Sequence, residues 1–217
     1  MSGHSPGLLR LPGEFAVFPL AGALLLPHAR LPLNIFEPRY LAMVEDSLAS
    51  GRMFGMIQPD ASQPERATGP ALFAVGCLSR ISAFTETDDG RYLITLAGLS
   101  RFRIEAELEM RHGYRRVRAD LVPFARDLRQ PDPARVEREP MLAALRTYLV
   151  RRGFGADWKS LEALPDERLV GTLSMLCPFA PTEKQALLEA ATEAERAEIL
   201  LALLRMNAYA EKTPLAS

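Results

Sequence analysis

Between Phe18 and Tyr40 the chain places Pro19, Pro27, Pro32 and Pro38 within twenty residues, separated by short apolar runs. Proline donates no backbone hydrogen bond, so strands that carry it lie at sheet edges or at bends. The stretch predicts short strands that turn sharply, then a helix that Pro38 opens at its first position. A small, bent β-barrel begins in this way.

Strand signals continue to about Phe124, with one helix over Pro38 to about Ser50, where Tyr40, Val44 and Leu48 recur at helical spacing and Gly51 supplies the stop. Met53 to Gln58 reads as a buried strand and Pro59 to Pro70 as a surface loop. Leu72 to Ala83 and Tyr92 to Gly98 flank Asp89-Gly90, a step that permits the positive φ of a tight hairpin. Arg101 to Arg111 alternates strictly, with Phe102, Ile104, Ala106, Leu108 and Met110 expected in the core and Arg101, Arg103, Glu105, Glu107 and Glu109 in water. A turn at His112-Gly113 leads to a last strand, Tyr114 to Val122. Sequential antiparallel strands of this kind favour a closed or nearly closed barrel.

The periodicity then changes to helical. Met141, Leu145, Tyr148 and Leu149 mark one helix, stopped by Gly153, and Pro165-Asp166 opens another. Thr182-x-x-Gln185 and Thr192-x-x-Glu195 read as capping boxes for two more. The last helix is expected to bury Ile199, Leu203 and Met206, with Leu200 and Leu204 as further candidates for the same face. The predicted organisation is α+β, with a loose arm over 1–13, a β-barrel with one short helix over 14–124, a linker over 125–134, a helical bundle over 135–211 and a tail over 212–217.

With 217 residues, 48% hydrophobic, 24% charged and a net charge of −1, the chain has no global field to draw it to nucleic acid or an anionic membrane. No apolar run approaches the roughly 20 residues of a membrane span, and the first ten residues carry no secretory pattern. A cytoplasmic location is the expectation. Cys77 and Cys177 have neither metal-ligand nor redox spacing and read as buried thiols. His4, His28 and His112 likewise share no ligand spacing, so neither metal nor cofactor is expected.

The opening words, Phe18-Pro19-Leu20 through Pro27 and Pro32-Leu33 to Phe36-Glu37-Pro38-Arg39-Tyr40, resemble the amino-terminal substrate-recognition domain of Lon proteases. Leu72 to Gly76 and Gly98 to Ile104 match two further segments of that family. Leu169 to Pro178, Thr182 to Leu188 and Glu195 to Leu200 match its helical part. The resemblance implies a PUA-like pseudo-barrel followed by a helical bundle, in a module that helps proteases select unfolded or damaged polypeptides. In the family an ATPase and a serine-lysine peptidase follow; here the chain closes at Ser217 and contains no Gly-x-x-x-x-Gly-Lys-Ser/Thr phosphate loop. Lysine occurs only at Lys159, Lys184 and Lys212, none in a setting suited to a general base. Ser174 sits in a helix pattern that lacks the glycines of a nucleophile elbow. A stand-alone, non-catalytic protein is therefore expected.

Three readings of function remain. In the leading one, some of Leu24, Leu25, Ile35, Phe36, Arg39 and Tyr40, with the edge strand that the prolines leave open, line a groove for an unfolded polypeptide segment or a protein partner. In the second, Arg101, Arg103, Arg111, Arg115, Arg116 and Arg118 form an RNA-binding patch. Against it stand the interleaved glutamates, expected to pair with Arg116 and Arg118, and the lack of stacking aromatics. An unrecognised hydrolase is third, for want of a nucleophile, base or metal group. An exposed stripe of Leu200, Leu204 and Tyr209 on the last helix would favour a homodimer.

Overall fold

A computed structural model describes residues 11–129 and 137–209. Residues 1–10 of the expected arm, residues 130–134 of the expected linker and the 212–217 tail lie outside the described residues. The chain divides into two compact units, one of residues 1–130 with 178–188, the other of residues 131–177 with 189–217.

The first unit is a mixed six-stranded sheet built from β1 (Glu14–Pro19), β2 (Arg30–Ile35), β3 (Met53–Ile57), β4 (Val75–Glu86), β5 (Tyr92–Arg111) and β6 (Tyr114–Asp120). β1 pairs parallel with β3 and all other pairs are antiparallel. Because β6 pairs with both β1 and β5, strands β6-β1-β3-β4-β5 close on themselves. β2 stands outside this ring, laid along the first part of β5 from Tyr92 to Ala97.

Phe15, Val17, Ile57, Leu78, Phe102 and Val117 fill the barrel. The Phe15 and Phe102 rings meet edge to face at 5.0 Å. Phe102 fits because Gly55 and Gly76 leave its ring room that a Cβ would take, at 2.7 and 2.5 Å. Leu11 packs against the same cluster and the Gly13 carbonyl accepts from the Ala119 amide, so residues 11–13 belong to the barrel, not to a loose arm.

Helix α1 (Pro38–Ala49) starts with proline in its first turn and buries Tyr40, Met43, Val44 and Ser47. The Asp89-Gly90 and His112-Gly113 steps form turns as expected, with positive φ at Gly90, His112 and Gly113. Tyr92–Gly98 and Arg101–Arg111, expected as separate strands, form the single strand β5. Its alternation holds at Phe102, but Met110 is exposed and Arg101 is buried.

A 3-10 stretch over Val122–Leu128 takes up much of the expected linker. Asp127 on it accepts two bonds from the Arg101 guanidinium, both 2.9 Å, and one from the Arg101 amide. Arg101 also donates to the Leu188 carbonyl, and its charge lies 5.0 Å from the centre of the Phe124 ring. The arginine assigned to water is thus a buried clamp, tolerable because its carboxylate partner is buried with it.

In the second unit, α2 (Arg138–Arg152) buries Met141, Leu145 and Tyr148 and ends at Gly153, whose φ of 76° only glycine adopts freely. Short α3 (Trp158–Glu162) is capped by the Asp157 carboxylate, which accepts from the Ser160 amide. Arg138 donates to the carbonyls of Leu161, Glu162 and Leu164 where α3 ends. Next come α4 (Asp166–Leu176), α5 (Pro181–Glu189) and α6 (Glu193–Tyr209), with α2 and α4 both packed on α6.

Nearly all of α5 clusters with the barrel, not with the helices among which the periodicity placed it. Gln185 does not cap this helix. It is buried and donates to the Val75 carbonyl, while Glu183 closes the helix start on the Ala180 amide. At α6 the expected box forms, with Thr192 accepting from the Glu195 amide and Glu195 reaching back to Ala191. The buried face of α6 is Arg196, Leu200, Leu204 and Ala208. Met206, expected inside, is 67% exposed, and Leu200 and Leu204 are core, so the exposed stripe proposed for a homodimer does not form.

Candidate functional site

Register divides the three-stranded ribbon of β2, the start of β5 and the end of β4 into two faces. The rows Leu31–Leu96–Ile81, Leu33–Ile94–Phe84 and Ile35–Tyr92–Glu86 lie on one face, and their apolar members are buried or half-buried. The rows Arg30–Ala97–Arg80, Pro32–Thr95–Ala83 and Asn34–Leu93–Thr85 lie on the other, where every member is exposed or half-exposed. Six positions in succession on this outer face carry no charge. Among the described residues, β2 pairs only with β5, so its second edge is open. Phe36 follows β2 at once and is 64% exposed.

Of the residues singled out in the sequence, Leu24, Leu25 and Ile35 are each 2% exposed and Tyr40 is 7% exposed. These four are core: the Tyr40 ring packs at 4.3 Å on Phe18, and burial pushes its hydroxyl above the ordinary tyrosine range. Phe36 and Arg39 are at the surface. Arg39 bonds the Glu37 carboxylate at 2.8 Å and lies over the Tyr40 ring at 4.6 Å. Leu93, with Pro32 and Thr95 beside it, completes the apolar surface. Its signal was present in the sequence as the Leu93-x-Thr95-x-Ala97 half of an alternating strand.

Helix α1 is fixed by two neighbouring carboxylates. Glu45 accepts from the Tyr92 hydroxyl at 2.7 Å, and that bond pushes Tyr92 up to about 12. Asp46 accepts from the Tyr114 hydroxyl at 2.6 Å and meets His112 Nδ1 at 2.9 Å and Arg111 at 3.2 Å. The Tyr114 bond, aided by His112 and Arg111, holds Asp46 below the usual carboxylate range against an opposing effect of burial. Burial and the same bond raise Tyr114 to about 12.

A depressed carboxylate stabilises the fold above its unfolded pKa, and that contribution is lost as pH falls through the lower folded value. Tyr114→Phe is therefore expected to raise the Asp46 titration midpoint, followed by NMR below pH 4.5, and to shrink this acid-labile contribution. An unchanged midpoint would show that the hydroxyl does not hold the carboxylate.

The arginine patch is largely spent on ion pairs. Arg101 binds Asp127, Arg111 binds Asp46, Arg115 binds Glu107 at 2.7 Å and Arg118 binds Glu14 at 3.0 Å. The expected pairing of Glu105, Glu107 and Glu109 with Arg116 and Arg118 does not form. A register shift sets Ala106 opposite Arg118 and Leu108 opposite Arg116, on the face away from the glutamates.

In the second unit a hollow of about 660 Å³ runs along α2, lined by Leu142, Arg146, Thr147, Val150 and Glu162 among others. Its one hydroxyl, on Thr147, donates to the Ala143 carbonyl. Among the described residues no three His, Cys, Asp or Glu side chains converge as a metal site, and no helix is long and apolar enough to cross a membrane.

A family model described as the ATP-dependent protease La (LON) substrate-binding domain matches residues 14–206. Lon protease 2 of Sorangium cellulosum is 29% identical over 108 residues, covering 49% of this chain and 13% of that protein. A Lon protease of Xanthomonas oryzae is 22% identical over 207 residues, covering 94% of this chain and 24% of that protein. The chain thus spans between about an eighth and a quarter of the length of these curated relatives. Among solved structures, a Lon N-terminal domain protein from Xanthomonas campestris aligns with a TM-score of 0.59 at 24% identity, over 87% of this chain and 97% of that one. The N-terminal domain of a Mycobacterium avium complex Lon protease aligns with a TM-score of 0.57 at 17% identity, over 88% of this chain and 97% of that one. These two likenesses carry the fold.

Proposed function

This chain belongs to the family of ATP-dependent protease La (LON) substrate-binding domains, and on that premise we propose that it is a non-catalytic, cytoplasmic recognition module that takes unfolded polypeptide segments along β2. The observation that supports this reading most is the open edge of β2, bordered by Phe36 and by an outer face whose middle rows carry no charge. An extended segment added there would gain main-chain hydrogen bonds that are indifferent to sequence, and Phe36 and Leu93 would offer loose apolar selectivity. Tolerance of many sequences is what selection of unfolded chains requires. Leu24, Leu25, Ile35 and Tyr40 act in this reading as the support beneath the strand, while Phe36 and Arg39 are available for contact.

The test is anisotropy of a fluorescent, permanently unfolded polypeptide at low and high salt. Covering an aromatic side chain contributes about 1.5 kcal/mol or more, so Phe36→Asp is expected to weaken binding about tenfold with an unchanged circular dichroism spectrum. Binding of wild type should persist at high salt, since apolar contacts are not screened. Wild-type affinity in the Phe36→Asp variant would overturn the reading. Salt-labile binding of single-stranded RNA with no polypeptide signal would favour an RNA-binding module instead, a reading that the ion-paired arginines weigh against.

A further inference from the structure

The outer face of the ribbon is not uniform along its length. Arg30 on β2 and Arg80 on β4 are both exposed and share a row, with Ala97 of β5 between them. Two strand spacings put their backbones about 10 Å apart, a gap that two long side chains can close over a single methyl group. Neither makes an ion pair among the described residues, and Arg80 has only the Met53 sulfur at 3.8 Å. No carboxylate lies on this face: the remaining rows are Pro32–Thr95–Ala83 and Asn34–Leu93–Thr85, while Glu86 falls in a row of the opposite face. One end of the face is therefore cationic and uncompensated, and the other, at Leu93 and Phe36, is apolar.

We infer that β2 prefers extended segments with apolar residues at two alternate positions followed, two residues on, by an aspartate or glutamate whose carboxylate lies against Arg30 and Arg80. The inference rests on β2 being the polypeptide-binding edge and adds to it a direction and a charge. Antiparallel pairing is the slightly more stable mode per residue. In it the residue opposite Asn34 comes first, the one opposite Pro32 second and the one opposite Arg30 third, all on the outer face. The first two meet the uncharged rows beside Phe36 and Leu93. The third stands directly across from Arg30.

The test uses three labelled peptides identical except for Glu, Gln or Lys at the third of these positions, and a fourth with the Glu peptide's order reversed. They are titrated against the whole protein and its Arg30→Glu variant at low and high salt. Exposed charge pairs are weak and screened, so the Glu peptide should bind about fivefold tighter than the Lys peptide at low salt and nearly equally at high salt. Arg30→Glu should invert that order without altering the circular dichroism spectrum. Equal binding of the Glu, Gln and Lys peptides would overturn the inference and leave the recognition reading standing. Stronger binding of the reversed peptide would also overturn it, because the charge would then be read from the wrong end. Failure of all four peptides to bind would sink both, as would a concentration-dependent dimer that none of them dissociates, since β2 would then be occupied by a second copy.

Discussion

Asp127→Ala is expected to destabilise the barrel unit by about 3–5 kcal/mol, the range for removing one partner of a buried ion pair. The Arg101 and Asp127 side chains are 8% and 9% exposed, and the carboxylate receives three bonds from the one arginine. Without it the guanidinium keeps its charge in a place where water cannot compensate it. The Arg101 bond to the Leu188 carbonyl should weaken with it and loosen the end of α5. Urea unfolding would show a lower midpoint with an unchanged slope. Arg101→Met combined with Asp127→Leu, which removes both charges, should recover most of the loss. A single-variant effect below about 1 kcal/mol would mean that the pair is solvated, as surface pairs are.

Gly98→Ala is the second large effect, of about 3 kcal/mol or more, because the added carbon has nowhere to go. It would stand 2.1 Å from the Leu26 carbonyl oxygen and 2.9 Å from its carbon. Relaxation is blocked on both sides, since the Gly98 carbonyl accepts from the His28 amide and its own amide donates to the Ala29 carbonyl. The strand and the segment over 24–29 are tied at the point of contact. That segment carries the buried Leu24, Leu25 and Leu26 and leads directly into β2, so the variant should lose polypeptide binding along with stability. Gly155→Ala is the control, with nothing within 4 Å of the new carbon, and is expected to change the melting temperature by less than about 2 °C. A Gly98→Ala protein as stable as wild type would show that the approach of Leu26 to β5 is not enforced.

Legibility followed local chemistry. Pro38 and Gly51 bounded α1, and the Asp89-Gly90 and His112-Gly113 steps located both hairpins, because a turn or a helix end is fixed by the few residues that form it. Long-range facts were hidden. Arg101 sits in a perfect alternation of charge and apolar residues, and nothing nearby in sequence reveals that Asp127 is folded against it. The Glu105 to Glu109 run does not face Arg116 and Arg118, because a one-residue register shift exchanges faces and leaves no mark in composition. In α6 the run Ile199-Leu200-Leu201-Ala202-Leu203-Leu204 is apolar on every side, so periodicity could not choose between Ile199 with Leu203 and Leu200 with Leu204. For the candidate site, the open edge was legible from Pro32. The separation of Phe36 and Arg39 from the four core residues was not, since all six lie in one apolar stretch and only the packing of the folded chain divides them.

The attachment of α5 to the barrel has a consequence for how the protein is made. A ribosome releases the chain from its amino end, so β1 to β6 and the 3-10 stretch emerge while α5 has yet to be synthesised. Gln185 meets Val75 across 110 residues, Pro181 accepts from Gln58 across 123, and Leu188 accepts from Arg101 across 87. Until then the Val75 carbonyl, the Gln58 side-chain nitrogen and the Arg101 guanidinium lack these bonds to α5. Contacts of such separation slow the last stage of folding. Helices α2 to α4 of the second unit are therefore translated inside the interval during which the first is waiting for its final helix, and α6 follows only after it.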